Sequence, residues 1–314
     1  MKRIRTSGLL LTAALLFSCS PAGDAVEFKV MAWNIWHGGN EESLPSDGRP
    51  SVVNIIRDSG ADVVLMIETY GSAPYIADSL GFEYHLLSDN LCIFSRYPIE
   101  ETFRFEDAIA PFNFGGATIL IADSEPVTFF DTWLHYLPDT RLVPLQAPHD
   151  SILAWENAGS RDDEIRAILS SITPHIEGSE TIPIIMGGDF NSFSHLDWVA
   201  STKDTFNHGG RIVDWTISRA MTDRGFADTY RTINPDPLSD PGITWLSGHN
   251  QSGEFGYFRQ DRIDYIYSIG SRLEIVDSRS YDVPPGDTLR FGQGSYMYPS
   301  DHGFVLSTFR IHDR

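Results

Sequence analysis

The sequence predicts an α/β protein with a single large domain. Eight segments rich in β-branched, aromatic and other apolar residues have the composition of strands: residues 27–36, 61–68, 90–96, 118–123, 127–136, 181–190, 262–268 and 302–311. Three further segments carry apolar residues at helical spacing: residues 51–60, 161–174 and 213–225. Strands and helices alternate in the first part of the 314-residue chain, and no linker-like stretch divides it.

Each helical segment has an apolar face and a signal that ends it. Val52 and Ile56 share one face of the first segment, which stops at Gly60. The second begins with acidic residues, which the helix dipole favours in a first turn, and Pro174 closes it. The third ends at Gly225. We therefore expect three helices of ordinary length packed on the strands.

The N-terminus has the pattern of an export signal. Three cations precede an apolar segment, residues 8–17, that is too short to cross a bilayer. Cys19 follows it in the sequence LFSC, which resembles a bacterial lipobox. This predicts a signal peptide (1–18), a lipidated Cys19 on a short tether (19–26), a catalytic domain (27–314) and an extracytoplasmic, membrane-anchored protein. The alternative is an ordinary cleaved signal and a secreted protein.

Charge and cysteine content limit the partners of the chain. The formal net charge is −20, and the only lysines are Lys2, Lys29 and Lys203. So few lysines argue against a broad basic surface, and nucleic acid is not the favoured partner. With Cys19 lipidated, Cys92 is left without a disulfide partner and is predicted to be a small buried hydrophobe. We expect a monomer.

Polar residues recur where the predicted strands end. This set comprises Asn34, Glu68, His135, Asp189, Asn191, Asp264, Asp301 and His302. Taken singly, each has a simpler explanation as a turn former, a solvated side chain or a partner in an ion pair. Strands that point the same way would nevertheless gather all of these groups in one cleft.

The residue types indicate chemistry on a phosphate ester. Glu68 and Asp301 are hard oxygen ligands suited to Mg²⁺, with Mn²⁺ as the alternative. No HExxH motif is present, so a zinc protease has no support. Asp189 can act on a water, and strand parity would let Asn191 face the same ligand. Asp264 would hold an imidazole, His302, in one tautomer.

These motifs together resemble one known family. WNIW, IE, GGDFN, RIDYI and SDHGFV are similar to successive signatures of the endonuclease/exonuclease/phosphatase superfamily over residues 28–311. The resemblance implies a DNase I-like, four-layer α/β/β/α sandwich with two packed mixed sheets. It also implies divalent-metal-dependent hydrolysis of a phosphate ester by an activated water.

The resemblance also implies roles for particular residues. Asn34 would position the metal site, with Glu68 and Asp301 as metal-binding residues. Asp189 would orient or deprotonate the water, with Asn191 on the scissile phosphate. Asp264 would orient His302, which contacts the phosphate. His135 is carried over as the remaining catalytic histidine, although it lies two residues beyond the expected position, since the family usually has Thr-His-Leu where this chain reads DTWLHY.

Four residues near the predicted rim are candidates for substrate binding: His37, Tyr136, His195 and His249. His195 has the alternative of capping or packing against the next helix. Three functions remain open. The first is a phosphodiesterase or phosphatase acting on a small or lipid-linked ester, the second a secreted nuclease, and the third a non-catalytic surface binding protein of the same fold.

Overall fold

The computed structural model describes residues 25–105, 113–139, 147–206, 208–245 and 261–312. The strands in these residues are β1 (Val26–Asn34), β2 (Val63–Ile67), β3 (Glu83–Leu86), β4 (Leu91–Ser95), β5 (Ile99–Phe103), β6 (Phe114–Ile121), β7 (Glu125–Trp133), β8 (Ile184–Asp189), β9 (Ala227–Asp228), β10 (Asp264–Ile269), β11 (Leu273–Tyr281), β12 (Thr288–Phe291), β13 (Gly294–Met297) and β14 (Phe304–Ile311). The helices are α1 (Trp36–Gly39), α2 (Arg49–Ser59), α3 (Ala73–Leu80), α4 (His149–Glu156), α5 (Arg161–Ser171), α6 (Thr173–Glu177), α7 (Thr216–Asp223) and α8 (Thr229–Ile233).

Most of the strands form two six-stranded mixed sheets. Sheet A has the order β11-β14-β1-β2-β4-β3, and sheet B has the order β5-β6-β7-β8-β10-β9. Strands β12 and β13 form a separate hairpin. Each sheet contains one parallel pair, β1 with β2 in sheet A and β7 with β8 in sheet B. The carboxyl ends of each parallel pair therefore lie at a common edge.

The two sheets pack face to face, and helices cover both outer faces. Along β1, Val30 and Ala32 point into the core between the sheets, whereas Met31 and Trp33 point outward. Helices α2 and α3 pack on the outer face of sheet A, and α5 and α7 pack on that of sheet B. These four layers confirm the predicted α/β/β/α sandwich.

The predicted helices and the buried cysteine are present. Helix α2 ends at Gly60, whose φ of 67° is the left-handed conformation that closes helices. The predicted helix 161–174 is divided into α5 and α6, and the predicted helix 213–225 is α7. Cys92 is free and fully buried.

Two of the predicted strands that lead to the site, 27–36 and 127–136, end two and three residues earlier than expected, at Asn34 and Trp133. Strand β1 stops at Asn34 because Trp36 and His37 adopt left-handed backbone angles, with φ of 54° and 49°. Strand β7 stops at Trp133, so His135 lies beyond it. The His135 amide donates to the side chain of Glu164 at 2.9 Å instead of continuing the ladder.

The signal peptide and Cys19 lie outside the described residues, so that prediction stays untested. Among the residues that the structure describes, no helix has the length and apolar character needed to cross a bilayer.

Candidate active site

The inner faces of the two sheets carry the candidate site at one end of the sandwich. Asn34, Asp189 and Asp264 each continue the inward alternation of their strands, β1, β8 and β10. Asp189 and Asp264 are directly paired across the antiparallel β8–β10 ladder. All three side chains are buried, with exposures of at most 1%. Strand geometry alone thus brings these polar groups together between the sheets.

Asn34 links the two sheets. Its amide nitrogen donates to Glu68 Oε1 at 3.1 Å and to Asp189 Oδ2 at 3.2 Å. Its Oδ1 accepts from the amide of Trp36 at 3.0 Å. Asn34 is therefore held by its own turn, and it holds one carboxylate of each sheet.

Glu68 follows β2 directly and has a left-handed φ of 60°, which is rare for a residue with a side chain. The amide of His37 donates to Glu68 Oε2 at 2.9 Å, and the amide of Gly38 donates to the Glu68 carbonyl at 2.8 Å. Gly38 has a φ of 73°, and a β-carbon there would lie 2.9 Å from Ser72 Oγ. The turn after β1 is thus built to hold the Glu68 carboxylate, at the cost of backbone strain that is typical of functional sites.

Asp189 ends β8 at a point where the backbones pack closely. Gly188, just before it, has a φ of 142°, and a β-carbon there would lie 1.9 Å from the carbonyl oxygen of Thr132. Only glycine fits at this position. The Asp189 carboxylate accepts from Asn34 and, through Oδ1, from the amide of Asn191 at 2.9 Å.

The parity argument for Asn191 is wrong, because β8 ends at Asp189. Asn191 has a left-handed φ of 49°, and its amide nitrogen donates to the Leu134 carbonyl at 2.9 Å. Asn191 therefore contacts the Asp189 carboxylate through its backbone amide. Its side chain connects the segment after β8 to the segment after β7.

His302 lies between two carboxylates of sheet B. Its Nδ1 is 3.0 Å from Asp264 Oδ2, and its Nε2 is 3.9 Å from Asp189 Oδ2. The longer distance is an ion-pair contact without a hydrogen bond, so Nε2 remains available to a third atom. Asp264, His302 and Asp189, here called the Asp264–His302–Asp189 line, each offer one possible ligand atom, and these atoms lie within 4.8 Å of one another, a grouping that could also hold a metal ion.

Burial and neighbouring charges shift the pKa values of Asp189 and His302. Burial, reinforced by the charge of Asp264, raises the pKa of Asp189 to about 7, although His302 opposes this. Burial by itself lowers the pKa of His302, but Asp264 and Asp189 outweigh it and raise that pKa to about 10. The pair therefore favours an imidazolium beside a carboxyl group that can take up a proton near neutral pH.

The Asp301 carboxylate is a candidate ligand for a cation. Its Oδ1 is buried and has no hydrogen-bond partner among the described residues. Burial raises the pKa of Asp301, with His302 opposing and the Glu68 carboxylate adding to the shift. Hard oxygen donors that repel one another are the set that Mg²⁺ or Mn²⁺ binds. Glu68 and Asp301 thus fit a divalent cation, with Asn34 orienting Glu68.

The remaining predicted residues lie at the rim or away from it. His135 is exposed and its ring stacks on Tyr136, with 5.1 Å between the ring centroids. His37 is also exposed, and its Nε2 is 3.9 Å from Glu68 Oε2. His195 instead is buried, with Nδ1 2.8 Å from Ser218 Oγ on α7, which is the packing alternative. His249 lies outside the described residues.

Sequence reasoning missed two hydroxyl groups that hold the site together. Thr244 Oγ1 accepts from the amides of both Ile263 and Asp264 at 3.1 Å. Ser300 Oγ donates to the Asn34 carbonyl at 2.7 Å and accepts from the amide of His302 at 3.0 Å. Ser300 precedes the DH pair and could have been suspected, whereas Thr244 lies in a segment without a recognisable pattern.

Comparisons with known proteins agree with this geometry. The Endonuclease/Exonuclease/phosphatase family matches residues 31–302. An uncharacterised protein of Caenorhabditis elegans, F14F9.5, is 29% identical over 304 residues, covering 90% of each chain.

Several solved structures share the fold. D. rerio TDP2 complexed with a single strand DNA product is 15% identical, with a TM-score of 0.59 over 90% of this chain and 98% of that one. A Bacteroides thetaiotaomicron protein of the family is 14% identical, with a TM-score of 0.57 over 92% and 99%. One from Beutenbergia cavernae is 17% identical, with a TM-score of 0.57 over 91% and 72%.

The family match covers most of the chain, including all the residues that converge between the two sheets. The chain therefore belongs to the endonuclease/exonuclease/phosphatase family, whose members are phosphoester hydrolases that generally depend on a divalent metal.

Proposed function

We propose that this protein is a Mg²⁺-dependent phosphodiesterase or phosphatase that acts outside the cytoplasm on a small or lipid-linked phosphate ester. The observation that carries the proposal is the Asp264–His302–Asp189 line beside the unpartnered oxygen of Asp301. This arrangement provides separate places for proton transfer and for a cation. The lipobox-like sequence at Cys19 supports the location, with a secreted protein as the alternative.

Asp189 supplies the proton acceptor. Its carboxylate is fixed by the amide of Asn191 and by Asn34, so one oxygen lies in a constant position for a water. A pKa near 7 suits a general base at neutral pH. The water that attacks phosphorus transfers its proton to Asp189 as its oxygen bonds to phosphorus. The bond from phosphorus to the leaving-group oxygen breaks, and that oxygen leaves with the bonding electrons and takes a proton from solvent.

His302 supplies positive charge to the phosphoryl group. Asp264 fixes its Nδ1, and its Nε2–H donates to a phosphoryl oxygen as negative charge develops there. Glu68 and Asp301 would hold the cation, with Mg²⁺ favoured and Mn²⁺ possible. A cation bound there would supply positive charge that offsets the negative charge developing on the phosphoryl group.

The charge distribution favours a small or lipid-linked ester over a polynucleotide. Three arginines, Arg161, Arg231 and Arg262, are buried in ion pairs with acids. They are not available to track a phosphate backbone, whose binding depends on exposed cations. A nuclease is the second candidate, because the D. rerio TDP2 structure of the same fold contains a DNA product.

The test is a substrate panel with purified protein and Mg²⁺. We expect hydrolysis of bis(4-nitrophenyl) phosphate, arrest by EDTA, recovery with added Mg²⁺ or Mn²⁺, and loss of activity in Asp189→Ala. Asp78→Ala, which changes an exposed aspartate of α3, is the matched control and should retain activity. Full activity in Asp189→Ala would overturn the mechanism.

The same panel separates the candidate functions. Phospholipids and small phosphate esters should be cleaved faster than single-stranded or duplex DNA. Preference for DNA would favour the nuclease. Absence of hydrolysis across phospholipids, sugar phosphates, nucleic acids and the generic diester would favour a non-catalytic binding protein.

A further inference from the structure

Residues 134–138, here called the His135 loop, are fixed through their backbone. The Leu134 amide donates to the Asp189 carbonyl at 3.0 Å, and the Leu134 carbonyl accepts from Asn191 at 2.9 Å. The residue before His135 is thus hydrogen-bonded to both Asp189 and Asn191 of the GDFN motif. The His135 loop therefore begins in direct contact with the candidate base.

Helix α5 holds the next part of the loop. The amide of His135 donates to Glu164 Oε2 at 2.9 Å. The guanidinium of Arg161 donates to the carbonyls of His135 at 3.1 Å and Pro138 at 2.9 Å. The first turn of α5 thus contacts the amide and the carbonyl of His135 as well as a carbonyl beyond it.

Arg161 is itself fixed by a buried acid. Its guanidinium donates to Glu156 Oε2 at 2.8 Å and to Oε1 at 3.3 Å, and both side chains are at most 1% exposed. Ser192, which follows Asn191, donates to Glu156 Oε1 at 2.7 Å. A buried ion pair has a large desolvation cost, so it is weak support for stability by itself. This pair has a specific geometric result, since it joins the His135 loop to the segment after Asp189.

The loop also contacts one ring nitrogen of His135. Its Nδ1 lies 3.2 Å from the Leu137 amide, which can donate to it, and 3.4 Å from the Leu137 carbonyl, which would accept from it in the other tautomer. The ring is exposed and stacks on Tyr136. In the tautomer that accepts from Leu137, a neutral ring carries its hydrogen on Nε2 and can donate it at the rim.

We propose that Glu156, Arg161 and Glu164 are positioning residues that set the direction of the His135 Nε2–H toward a phosphoryl oxygen of the substrate. This inference rests on the proposed phosphoesterase function. Its physical basis is preorganisation: a donor held in place before the reaction stabilises developing charge without reorganising. It also accounts for a histidine that acts from beyond the end of β7.

A double-mutant cycle tests whether Arg161 acts through His135. Arg161→Lys keeps the charge but loses the planar fork that contacts two carbonyls and Glu156. We expect kcat/KM for bis(4-nitrophenyl) phosphate to fall about 10- to 100-fold in the otherwise wild-type protein. In a His135→Ala background the same substitution should change it less than about twofold. Equal losses in both backgrounds would overturn the proposal, because a general structural role is independent of His135.

The matched control is Arg166→Lys, which changes an exposed arginine of the same helix that pairs with Asp162 and Asp163. We expect unchanged kinetics. If Arg161→Lys does not fold, Glu164→Ala provides the second variant, because it removes only the acceptor of the His135 amide and the partner of Ser160. It should show the same dependence on His135.

Hydrogen exchange tests the positioning without any activity. In Arg161→Lys, or in Glu164→Ala, peptides that contain residues 134–138 should exchange faster than in wild type, while peptides from β1 and β14 should not change. Arg166→Lys should leave all of them unchanged. An unaltered His135 loop would overturn the inference even in an active enzyme. If exchange becomes faster but the wild-type protein is inactive on the whole substrate panel, the proposed function is wrong, whereas the contacts that position the loop are as inferred.

Discussion

The two sheets contribute different halves of the site. Sheet A and its adjoining turns contribute Glu68, Asp301 and His302, which are suited to bind a cation and to contact the charged phosphate. These three residues are called the cation half of the site. Sheet B contributes Asp189, the proposed proton acceptor, and Asp264, which binds Nδ1 of His302. These two residues are called the proton half of the site. Each half is incomplete alone, since His302 depends on Asp264 and Asp189 depends on Asn34. The complete set of groups for the reaction therefore comes together where the two sheets pack against each other.

The largest effect should come from the proton half. Asp189→Asn keeps the shape of the side chain but removes the proton acceptor. We expect kcat to fall about 10²- to 10⁴-fold, as for loss of a general base, while the affinity for Mg²⁺ stays within a few fold. Single-turnover kinetics and isothermal titration with Mg²⁺ would measure the two quantities. A large loss of metal affinity with normal kcat at saturating Mg²⁺ would contradict the division into halves.

Substitution of Asn34, which contacts a residue of each half, should affect both kcat and the affinity for Mg²⁺. Asn34→Ala removes the donor shared by Glu68 Oε1 and Asp189 Oδ2, which leaves both carboxylates less well held. We expect kcat to fall about tenfold or more and Mg²⁺ affinity to fall about 10-fold, since residues that orient ligands have effects of this size. Titration of activity against Mg²⁺ gives both values. An effect on only one of them would assign Asn34 to one half.

The cation half should respond to metal concentration. Glu68→Gln keeps a hydrogen-bonding oxygen but loses the charge that binds the cation. We expect Mg²⁺ affinity to fall about 10- to 100-fold and activity to recover in part at high Mg²⁺. Asp78→Asn on exposed α3 is the control for a lost negative charge. If saturating Mg²⁺ left Glu68→Gln as inactive as Asp189→Asn, Glu68 would belong to the proton half.

Much of the central site was predictable because strands have a period of two. Residues at strand ends that share parity with an apolar inner face must point between the sheets, as Asn34, Asp189 and Asp264 do. The family resemblance then added their roles. The pattern named Asn191 but gave its orientation wrongly, because its left-handed turn breaks the parity of β8.

The supports of the site that lie outside its motifs could not be predicted, for a different reason. Arg161 contacts residues more than 20 positions away in the sequence, and Thr244 reaches the amide of Asp264 from an irregular segment. Such contacts depend on how loops pack in three dimensions, and single residue types carry no signal for them. Strand β11 was also missed, because its partly exposed residues lack clean alternation.

The smallest expected effect concerns Asp131, a buried acid of β7 that has no ion-pair partner among the described residues. It points between the sheets like Asp189, with 0% exposure, and neither carboxylate oxygen has a hydrogen-bond partner among the described residues. Burial raises the pKa of Asp131 well above its usual range, although the nearby amides of Thr132 and, from sheet A, Met66 oppose this without reaching hydrogen-bond geometry. The folded protein therefore keeps a proton on Asp131 that the unfolded chain releases above about pH 4.

This difference makes the stability of the wild-type protein fall as pH rises from about 4 toward the raised pKa, because the folded state binds more protons. Asp131→Asn, which does not titrate, should remove that loss. We expect similar free energies of unfolding for the two proteins near pH 4, and a more stable variant by roughly 1–3 kcal/mol at pH 8. Urea unfolding at both pH values measures this, with Asp78→Asn as the exposed control. Parallel pH profiles would mean that Asp131 is ionised in the fold, and that a buried carboxylate of sheet B does not need an ion-pair or side-chain partner from sheet A.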